Sequence, residues 1–414
     1  MPFWGGNLMC LAVPARIIRL IGKNAVCDFG GVNRRVNIQL MEEIMPGDYV
    51  IVHAGYAIEK LSEEEAQQSI RMWNELLKMV DEIKLMHVCG THEESIARSG
   101  IRSLLPKNIK VISGPGCPVC VTTTREVDEA IALGGLDDVI VTSFGDMMLV
   151  PGSEGSLMDA RANNADVRVV YSASDATELA RNNPGKQVVH IAIGFETTAP
   201  TTACELMDAP SNFSILCTHR TIPEAMDYLL SSGDCAIDGF IDPGHVSAII
   251  GTIPYKHLSD KYRIPQVVAG FEYLDVLLAI YMLLGLIADE SPDVVNEYGR
   301  VVREEGNTLA LDVIDKVYTK SSVKWRGFPV IPGSGLSLRE EYREYDARIK
   351  FDITVDKVTE PAGCRCGDVL RGLISPDECP LFETECSPAN PVGPCMVSAE
   401  GACSIAIKYG EHNA

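Results

Sequence analysis

The sequence predicts a multidomain α/β protein that begins with a small β-barrel and ends in a cysteine-rich domain. Three observations support this fold class. Short β-branched segments separated by Gly and Pro turns fill residues 9–58. Apolar strand-like runs then alternate with amphipathic segments over residues 85–320, which is typical of βαβ units. Residues 361–403 contain six cysteines and many prolines, and they have too few apolar residues to form a large core of their own.

The N-terminal segment is predicted to form a barrel followed by one helix. The predicted strands include residues 15–20, 25–29, 35–39 and 49–52. About five short strands within fifty residues indicate a small closed barrel. Ser62 and Glu65 form the pattern of a helix capping box, and apolar residues recur at helical spacing as far as Val80. A helix with one buried face is therefore expected after the barrel.

Eight strands are predicted in the middle of the chain. They are residues 85–88, 110–113, 138–143, 168–172, 188–193, 213–218, 237–241 and 266–269. Helices are predicted at residues 125–133, 176–182, 223–231 and 292–304, and a buried helix at 276–288. These strands can form one doubly wound sheet or two smaller α/β domains. Ligands bind at the carboxyl ends of parallel strands, so the polar residues that follow each strand are the candidate site.

Composition and charge exclude several classes of protein. The formal net charge of −21 argues against DNA, RNA or an anionic membrane as the main partner. The sequence shows no signal-peptide pattern and no run of 18 apolar residues, which predicts a cytoplasmic protein without a membrane span. Structural disulfides are rare in that compartment, so the 14 cysteines indicate metal-binding or catalytic thiols.

Two thiol motifs follow predicted strands. In CGTH at residues 89–92, Cys89 can be a nucleophile or a soft metal ligand, or simply a small buried residue. In GPGCPVC at residues 114–120, Cys117 and Cys120 have the spacing of a redox dithiol. The same spacing also suits half of a metal site or an inert turn. The polar loops at residues 194–198 and 242–245 can line a cleft or cap the helices that follow.

The C-terminal thiols are the most specific signal in the sequence. They are Cys364, Cys366, Cys379, Cys386, Cys395 and Cys403. Four Cys thiolates can hold an iron–sulfur cluster or a structural zinc ion. A zinc knuckle usually has two close Cys-x-x-Cys pairs, which this segment lacks, so an iron–sulfur cluster is the favoured interpretation. Spacing alone does not select four ligands among the six.

Two families resemble successive parts of the chain. Residues 9–80 resemble the hydrogenase maturation factor HypC through MCLAVPARI at 9–17, DFGGVNRRV at 28–36, GDYVIVHAGYAI at 47–58 and SEEEA at 62–66. From residue 85 onwards the chain resembles HypD. The matching segments are MHVCGTHE, GPGCPVC, SFGDMMLVPG at 143–152, GFETTAP at 194–200, PGH at 243–245 and the cysteine pattern at 364–403. The sequence is therefore similar to a fusion of the two factors.

The resemblance implies a scaffold for [NiFe]-hydrogenase maturation. It implies an OB-like barrel with a C-terminal helix over 9–80, α/β domains over 85–190 and 191–320, and a [4Fe–4S] domain over 321–414. Such a scaffold holds iron while cyanide and carbonyl ligands are attached, which yields an Fe(CN)2CO group. Cyanide comes from the partner HypE, which HypF supplies. The hydrogenase large-subunit precursor then receives the iron group.

The resemblance also implies roles for individual residues. By position, Cys10, Cys89 and His53 bind the iron, and His92 is a nearby proton or hydrogen-bond partner. The cluster ligands map to Cys364, Cys379, Cys386 and Cys403, with Cys366 and Cys395 left as a second dithiol pair. Soft, electron-rich thiolates suit low-valent iron. Our mechanistic hypothesis is that electrons pass between the cluster, Cys366/Cys395 and Cys117/Cys120, and reach the iron.

The sequence is also compatible with two other classes of function. An iron–sulfur/dithiol oxidoreductase, resembling a thioredoxin-type reductase, predicts turnover of a disulfide substrate and no mononuclear iron. A zinc-stabilised binding module predicts a colourless protein. One departure from the HypC pattern affects the iron site. HypC proteins begin Met-Cys, whereas eight residues precede Met9 here. Either Met9 is the true start, or Cys10 is internal and lacks a free α-amino group.

Overall fold

The computed structural model describes residues 13–28, 33–41, 44–53, 56–62, 82–355 and 357–410. The chain divides into two compact units. The smaller unit contains residues 1–83 and 100–110, and the larger contains residues 84–99 and 111–414.

The smaller unit contains the predicted barrel. Its strands are β1 (Val13–Ile21), β2 (Asn24–Asp28), β3 (Asn33–Asn37), β4 (Tyr49–His53) and β5 (Tyr56–Leu61). They close in the order β1-β2-β3-β5-β4, which confirms the barrel. Ala15, Ile17, Ala25 and Cys27 are buried and alternate with more exposed neighbours, as expected where one face of each strand points into a core. The helix predicted after Ser62 falls outside the described residues.

The chain from residue 83 onwards forms two parallel sheets and a hairpin. Its strands are β6 (Ile83–His87), β7 (Ile109–Ser113), β8 (Val139–Ser143), β9 (Val167–Val169), β10 (Gln187–Gly194), β11 (Phe213–His219), β12 (Gly239–Pro243), β13 (Gln266–Ala269), β14 (Val294–Asn296), β15 (Tyr318–Lys324) and β16 (Val330–Leu338). Five strands form one sheet in the order β14-β13-β12-β6-β7, and four form another in the order β11-β10-β8-β9. The α/β class with parallel sheets is therefore confirmed.

The eight predicted middle strands are all present, as β6 to β13. The predicted division at residue 190 falls inside β10, and the five-stranded sheet draws its strands from both sides of the four-stranded sheet in the sequence. The predicted helix at 292–304 is wrong, because β14 occupies part of it. Val294 and Val295 are β-branched and pair with β13, so tertiary pairing prevails over the helical pattern.

The helices connect the strands and cover the sheets. Among the described residues they are α1 (Gly90–Ser99), α2 (Ile101–Leu104), α3 (Pro118–Val121), α4 (Thr124–Gly134), α5 (Leu157–Ala162), α6 (Ala173–Asn182), α7 (Ala199–Leu206), α8 (Ile222–Ser232), α9 (Gly244–Ile250), α10 (Ile253–Tyr262), α11 (Tyr273–Ala288), α12 (Thr308–Val317), α13 (Ala347–Lys350), α14 (Cys366–Leu370), α15 (Pro394–Val397) and α16 (Ala402–Tyr409). Short 3₁₀ turns occupy Gly145–Leu149, Glu340–Tyr345 and Pro376–Glu378. The predicted helices at 125–133, 176–182 and 223–231 are confirmed as α4, α6 and α8.

Helix α11 contains the longest apolar run of the sequence. Val276, Ala279 and Leu283 are fully buried, whereas Tyr273 and Tyr281 on the other side are exposed. The helix predicted there is confirmed, with one face buried rather than all of it. In the described parts of the chain, no helix has both the length and the apolar character needed to cross a membrane.

The C-terminal third divides between two locations. Hairpin β15–β16 and α13 pack against β11, and Arg348 donates a hydrogen bond to the carbonyl of Cys217 on that strand (2.8 Å). Because β15 extends from Tyr318 to Lys324, the predicted boundary at residue 321 falls inside this strand. The cysteine-rich stretch contains only short elements. Its helix α16 packs against α1, and α15 packs against α3. This packing sets the last cysteines beside the helices that follow β6 and β7.

Candidate functional site

Cys89 lies at the turn between β6 and α1. The backbone N–H of Gly90 donates to the carbonyl of Gly116 (3.1 Å), so the Gly-Pro-Gly segment lies directly against this turn. A Cβ atom on Gly116 would overlap the backbone nitrogen of Cys89. Only glycine permits this close approach. This close approach places Cys117, the next residue, near the end of β6.

Cys89 and Cys117 line the same small pocket, which we call the strand-end pocket. The polar side chains that line it with them are His87, Glu93, Ser113 and Glu400. The structure therefore brings together two thiols that the sequence assigns to separate motifs. It adds a carboxylate from the cysteine-rich stretch to the residues that follow β6 and β7.

Glu93 organises the floor of the strand-end pocket through two hydrogen bonds. Its Oε2 lies 2.6 Å from Nε2 of His87 and accepts a hydrogen bond from the hydroxyl of Ser113 (2.7 Å). The other ring nitrogen of His87 lies 3.0 Å from the carbonyl oxygen of Cys89. A carbonyl can only accept, so Nδ1 carries the donor hydrogen. His87 and Glu93 are both buried, and this chain of contacts holds the Cys89 backbone in place.

The Cys89 thiol is held in its protonated form. Burial raises the pKa of Cys89 to about 11, and the nearby carboxylate of Glu400 acts in the same direction. Glu400 accepts a hydrogen bond from the hydroxyl of Thr91 (2.8 Å), which fixes its position over the first turn of α1. A thiol in this state becomes a thiolate when a cation binds to it.

His92 is turned towards the loop after β13. Its Nε2 donates to the carbonyl of Gly270 (2.9 Å), and its ring stacks on Phe271 with 4.8 Å between centroids. Burial lowers the pKa of His92 to about 3, with a further lowering from His87. His92 is therefore neutral at physiological pH. The imidazole that lines the strand-end pocket is His87, to which the sequence analysis assigned no role.

Cys117 and Cys120 are joined as a disulfide, with 5.3 Å between their Cα atoms. Cys117 is the N-cap of α3, and its sulfur accepts a hydrogen bond from the backbone N–H of Cys120 (3.2 Å). Both residues are buried, but Cys117 faces the strand-end pocket. This is the arrangement of a dithiol whose first sulfur can be reached from the Cys89 side.

A second pocket gathers C-terminal thiols, and we call it the cysteine pocket. It is lined by Cys364, Cys366, Cys379, Cys386 and Cys403, together with Leu381, Phe382 and Met396. The four predicted cluster ligands are all among these residues. A Cβ atom on Gly393 would lie 2.5 Å from the sulfur of Cys366 and 2.6 Å from that of Cys364, so glycine keeps the space beside them open.

The thiols of this region hydrogen-bond to one another. The sulfur atoms of Cys364 and Cys366 are 3.1 Å apart. The Cys366 side chain also forms hydrogen bonds with the side chains of Cys395 and Cys403. Hydrogen bonds from Cys366 and Cys395 lower the pKa of Cys403. The predicted second pair, Cys366 and Cys395, is therefore in contact, and Cys395 is fully buried and not among the residues that line the cysteine pocket.

Two predicted iron ligands belong to the smaller unit. Cys10 lies outside the described residues. His53 ends β4, where its backbone pairs with Tyr56 of β5. Their roles stay predictions. Across the described segments, no group of three or more His, Cys, Asp or Glu side chains is arranged to hold a single metal ion.

Sequence reasoning missed two carboxylates of the strand-end pocket, Glu93 and Glu400, and it assigned no specific role to His87 or to Ser113 at the end of a predicted strand. A local signal existed for Glu93. Because it lies in the first turn of a helix that begins right after a strand, its side chain can face back towards the strand end. No local signal exists for Glu400, which lies 309 residues from its hydrogen-bond partner Thr91.

Comparison with protein families agrees with both resemblances. A model described as HypD, hydrogenase formation hypA family, matches residues 64–410, and the HupF/HypC family model matches residues 9–73. A putative hydrogenase expression/formation protein of Methanocaldococcus jannaschii is 49% identical over 347 residues, which cover 83% of this chain and 96% of that protein.

Two named maturation factors are also similar over most of their length. The hydrogenase maturation factor HypD of Cupriavidus necator is 44% identical over 78% of this chain and 89% of its own. HypD of Escherichia coli is 42% identical over 79% and 89%, respectively. The chain therefore belongs to the HypD family of hydrogenase maturation factors, and a HupF/HypC family segment precedes its HypD part.

Proposed function

We propose that this protein holds the iron of the [NiFe]-hydrogenase active site while cyanide and carbonyl ligands are attached. The observation that carries the proposal is that Cys89 and the Cys117–Cys120 disulfide meet in one pocket. A soft ligand for iron is thereby placed next to a two-electron redox group.

Cys89 is the proposed seat of the iron in the larger unit. The iron is cargo here, and Cys10 and His53 of the HupF/HypC segment are its proposed further ligands. Binding converts the Cys89 thiol to a thiolate, so one proton must leave the strand-end pocket. Glu400 is the carboxylate in that pocket that acts on the Cys89 thiol, which makes it the proposed acceptor of this proton.

The reduced form of the Cys117–Cys120 pair can donate electrons in the same pocket. Oxidation of the two thiols to the disulfide releases two electrons and two protons. The buried position of both sulfurs protects the pair from thiols in solution. Cys117 lines the strand-end pocket, so its sulfur is the one through which these electrons are proposed to reach the iron.

The cysteine pocket fits a resident [4Fe–4S] cluster. Four thiolates are the ligand set of such a cluster, and Cys364, Cys379, Cys386 and Cys403 share one pocket with apolar walls. When bound there, a cluster supplies electrons one at a time. The contact between Cys366 and Cys395 supports a second dithiol beside it.

The proposed partners follow from membership of the maturation family. HypE, supplied by HypF, is the proposed donor of cyanide, and the hydrogenase large-subunit precursor is the proposed recipient of the iron group. The HupF/HypC segment supports this assignment, because it provides the second half of the scaffold within the same chain. A covalent link raises the effective concentration of one half for the other.

Infrared spectroscopy of the anaerobically purified protein tests the proposal. We expect cyanide and carbonyl stretching bands in the wild type, and loss of these bands in Cys89→Ser. Cys204→Ser is the matched control, because Cys204 is an exposed free cysteine outside both pockets, and its bands should stay at the wild-type level. Bands that persist in Cys89→Ser would refute Cys89 as the iron seat. A wild type without bands that turns over a disulfide substrate would instead identify a dithiol oxidoreductase.

A further inference from the structure

Arg326 is a buried cation whose charge the described residues barely compensate. It is 5% exposed, and its Nη1 and Nη2 atoms find no hydrogen-bond acceptor among those residues. The carboxylate paired with it belongs to Glu360 and lies 3.7 Å away, too far for a hydrogen bond. Half of the Glu360 side chain is exposed, and its Oε2 also accepts from Thr124 (2.8 Å). Because a buried guanidinium is costly without an anion, a further anion is expected beside it.

The backbone around Arg326 connects the two redox regions. Its N–H donates to the carbonyl of Val121 (2.9 Å), the residue that follows Cys120. The next residue, Gly327, approaches Gly367 so closely that a Cβ on either glycine would overlap the Cα of the other. Gly367 follows Cys366 in the first turn of α14. Arg326 therefore lies between the disulfide segment and the wall of the cysteine pocket.

Arg326 is held close to the cysteine pocket by the Gly327–Gly367 contact, because Gly367 directly follows Cys366, which lines that pocket. A second buried arginine in the same core behaves differently. Arg220 donates to the carboxylate of Glu126 (2.6 Å) and to the carbonyl of Thr218 (2.6 Å), so its charge is satisfied locally. Among the described residues, Nη1 and Nη2 of Arg326 have no such acceptor, and Glu360 at 3.7 Å compensates its charge only in part.

We propose that Arg326 compensates the negative charge collected in the cysteine pocket and thereby raises the reduction potential of the cluster bound there. This inference rests on the proposed function, since it requires the [4Fe–4S] cluster. A cluster held by four thiolates is anionic, and reduction adds one more negative charge. Net charge and solvent exposure around a cluster are known to set its potential. A permanent positive charge in a buried site stabilises the reduced state more than a charge in water does.

The test is a potentiometric titration of the whole anaerobic chain, followed by the electron paramagnetic resonance signal of the reduced cluster. For Arg326→Gln we expect the equilibrium constant for reduction to fall about tenfold, which lowers the midpoint potential by about 59 mV for a one-electron couple. Arg365→Gln is the matched control. Arg365 lies between Cys364 and Cys366 in sequence, but it is solvent-exposed and paired with Asp368 (2.6 Å), so its removal should shift the constant less than twofold.

Two further variants keep the test decisive if Arg326→Gln does not fold. Arg326→Lys retains the charge and should stay within about threefold of the wild type. Glu360→Gln removes the partly compensating carboxylate at a half-exposed position, and the constant should rise about threefold, or about 28 mV. Equal potentials in the wild type and Arg326→Gln, or an unchanged or lower potential in Glu360→Gln, overturn the inference alone. A wild-type chain that assembles no cluster overturns the cluster assignment and this inference together.

Discussion

The strand-end pocket and the cysteine pocket both contain thiols, but they are held together in different ways. In the strand-end pocket, Cys89 is surrounded by a hydrogen-bonded set of polar side chains centred on Glu93. Its shape depends on close backbone contact at Gly116. In the cysteine pocket, the thiols form hydrogen bonds with one another, and the other lining residues are apolar. The first pocket is defined by backbone and buried polar contacts, the second by side chains that can rotate.

This difference matches the two proposed contents. A transient iron group must enter and leave, so its site has to keep its shape when empty, which the fixed turn and the Glu93 network allow. A resident cluster becomes part of the structure, so its ligands need not be held rigidly without it. Substitutions of glycine and glutamate in the two pockets should therefore differ in their effect on the free energy of unfolding of the chain without a cluster.

The largest effect is expected for Gly116→Ala. The added methyl group would overlap the backbone at Val88 and Cys89, which cannot rotate away, so we expect a loss of at least about 3 kcal/mol in the free energy of unfolding. Urea denaturation followed by circular dichroism measures it. Gly285→Ala is the control, because its Cβ would meet nothing within 4 Å inside helix α11, where alanine should stabilise by about 0.5–1 kcal/mol.

An intermediate effect is expected for Glu93→Leu. This change keeps a side chain of similar volume but removes the hydrogen-bond partner of two buried groups, Nε2 of His87 and the hydroxyl of Ser113, at a cost of about 2 kcal/mol or more. The same denaturation measurement applies. The control is Glu94→Leu at the next residue. The Glu94 carboxylate accepts hydrogen bonds from Lys408 and Tyr409 near the surface, so the loss in the free energy of unfolding should stay below about 1 kcal/mol. Equal losses in the two variants would contradict a polar network that holds the pocket.

The smallest effect on stability is expected for Gly393→Ala. Its methyl group would meet only the sulfur atoms of Cys364 and Cys366, which can turn aside at about 1 kcal/mol. The space for the cluster would nevertheless be lost, so iron and sulfide content and visible absorption should fall several-fold. A Gly393→Ala variant as unstable as Gly116→Ala would break the comparison. One that retains a full cluster would show that the ligands do not converge where the cysteine pocket lies.

Much of the fold could be predicted from local pattern alone. Alternation of apolar and polar residues identified the barrel strands, and short apolar runs between turn residues identified β6 to β13. Strand β14 was not predicted. Val294 and Val295 lie in a segment with helical spacing, and only pairing with β13 makes it a strand. Which strands share a sheet was also beyond local pattern, because the five-stranded sheet combines segments separated by the whole four-stranded sheet.

The candidate site shows the same division. The sequence by itself determined which residue types could do chemistry: the thiols of CGTH and CPVC, and a C-terminal group of six cysteines. Only the tertiary structure decided that Cys117 faces the pocket of Cys89 and that Glu400 reaches it from the far end of the chain. It also left Arg326 buried between the disulfide segment and the cysteine pocket. The physical reason is that residue type and spacing are local properties. Burial, the partner of a charge and the approach of two backbones depend on how distant segments pack.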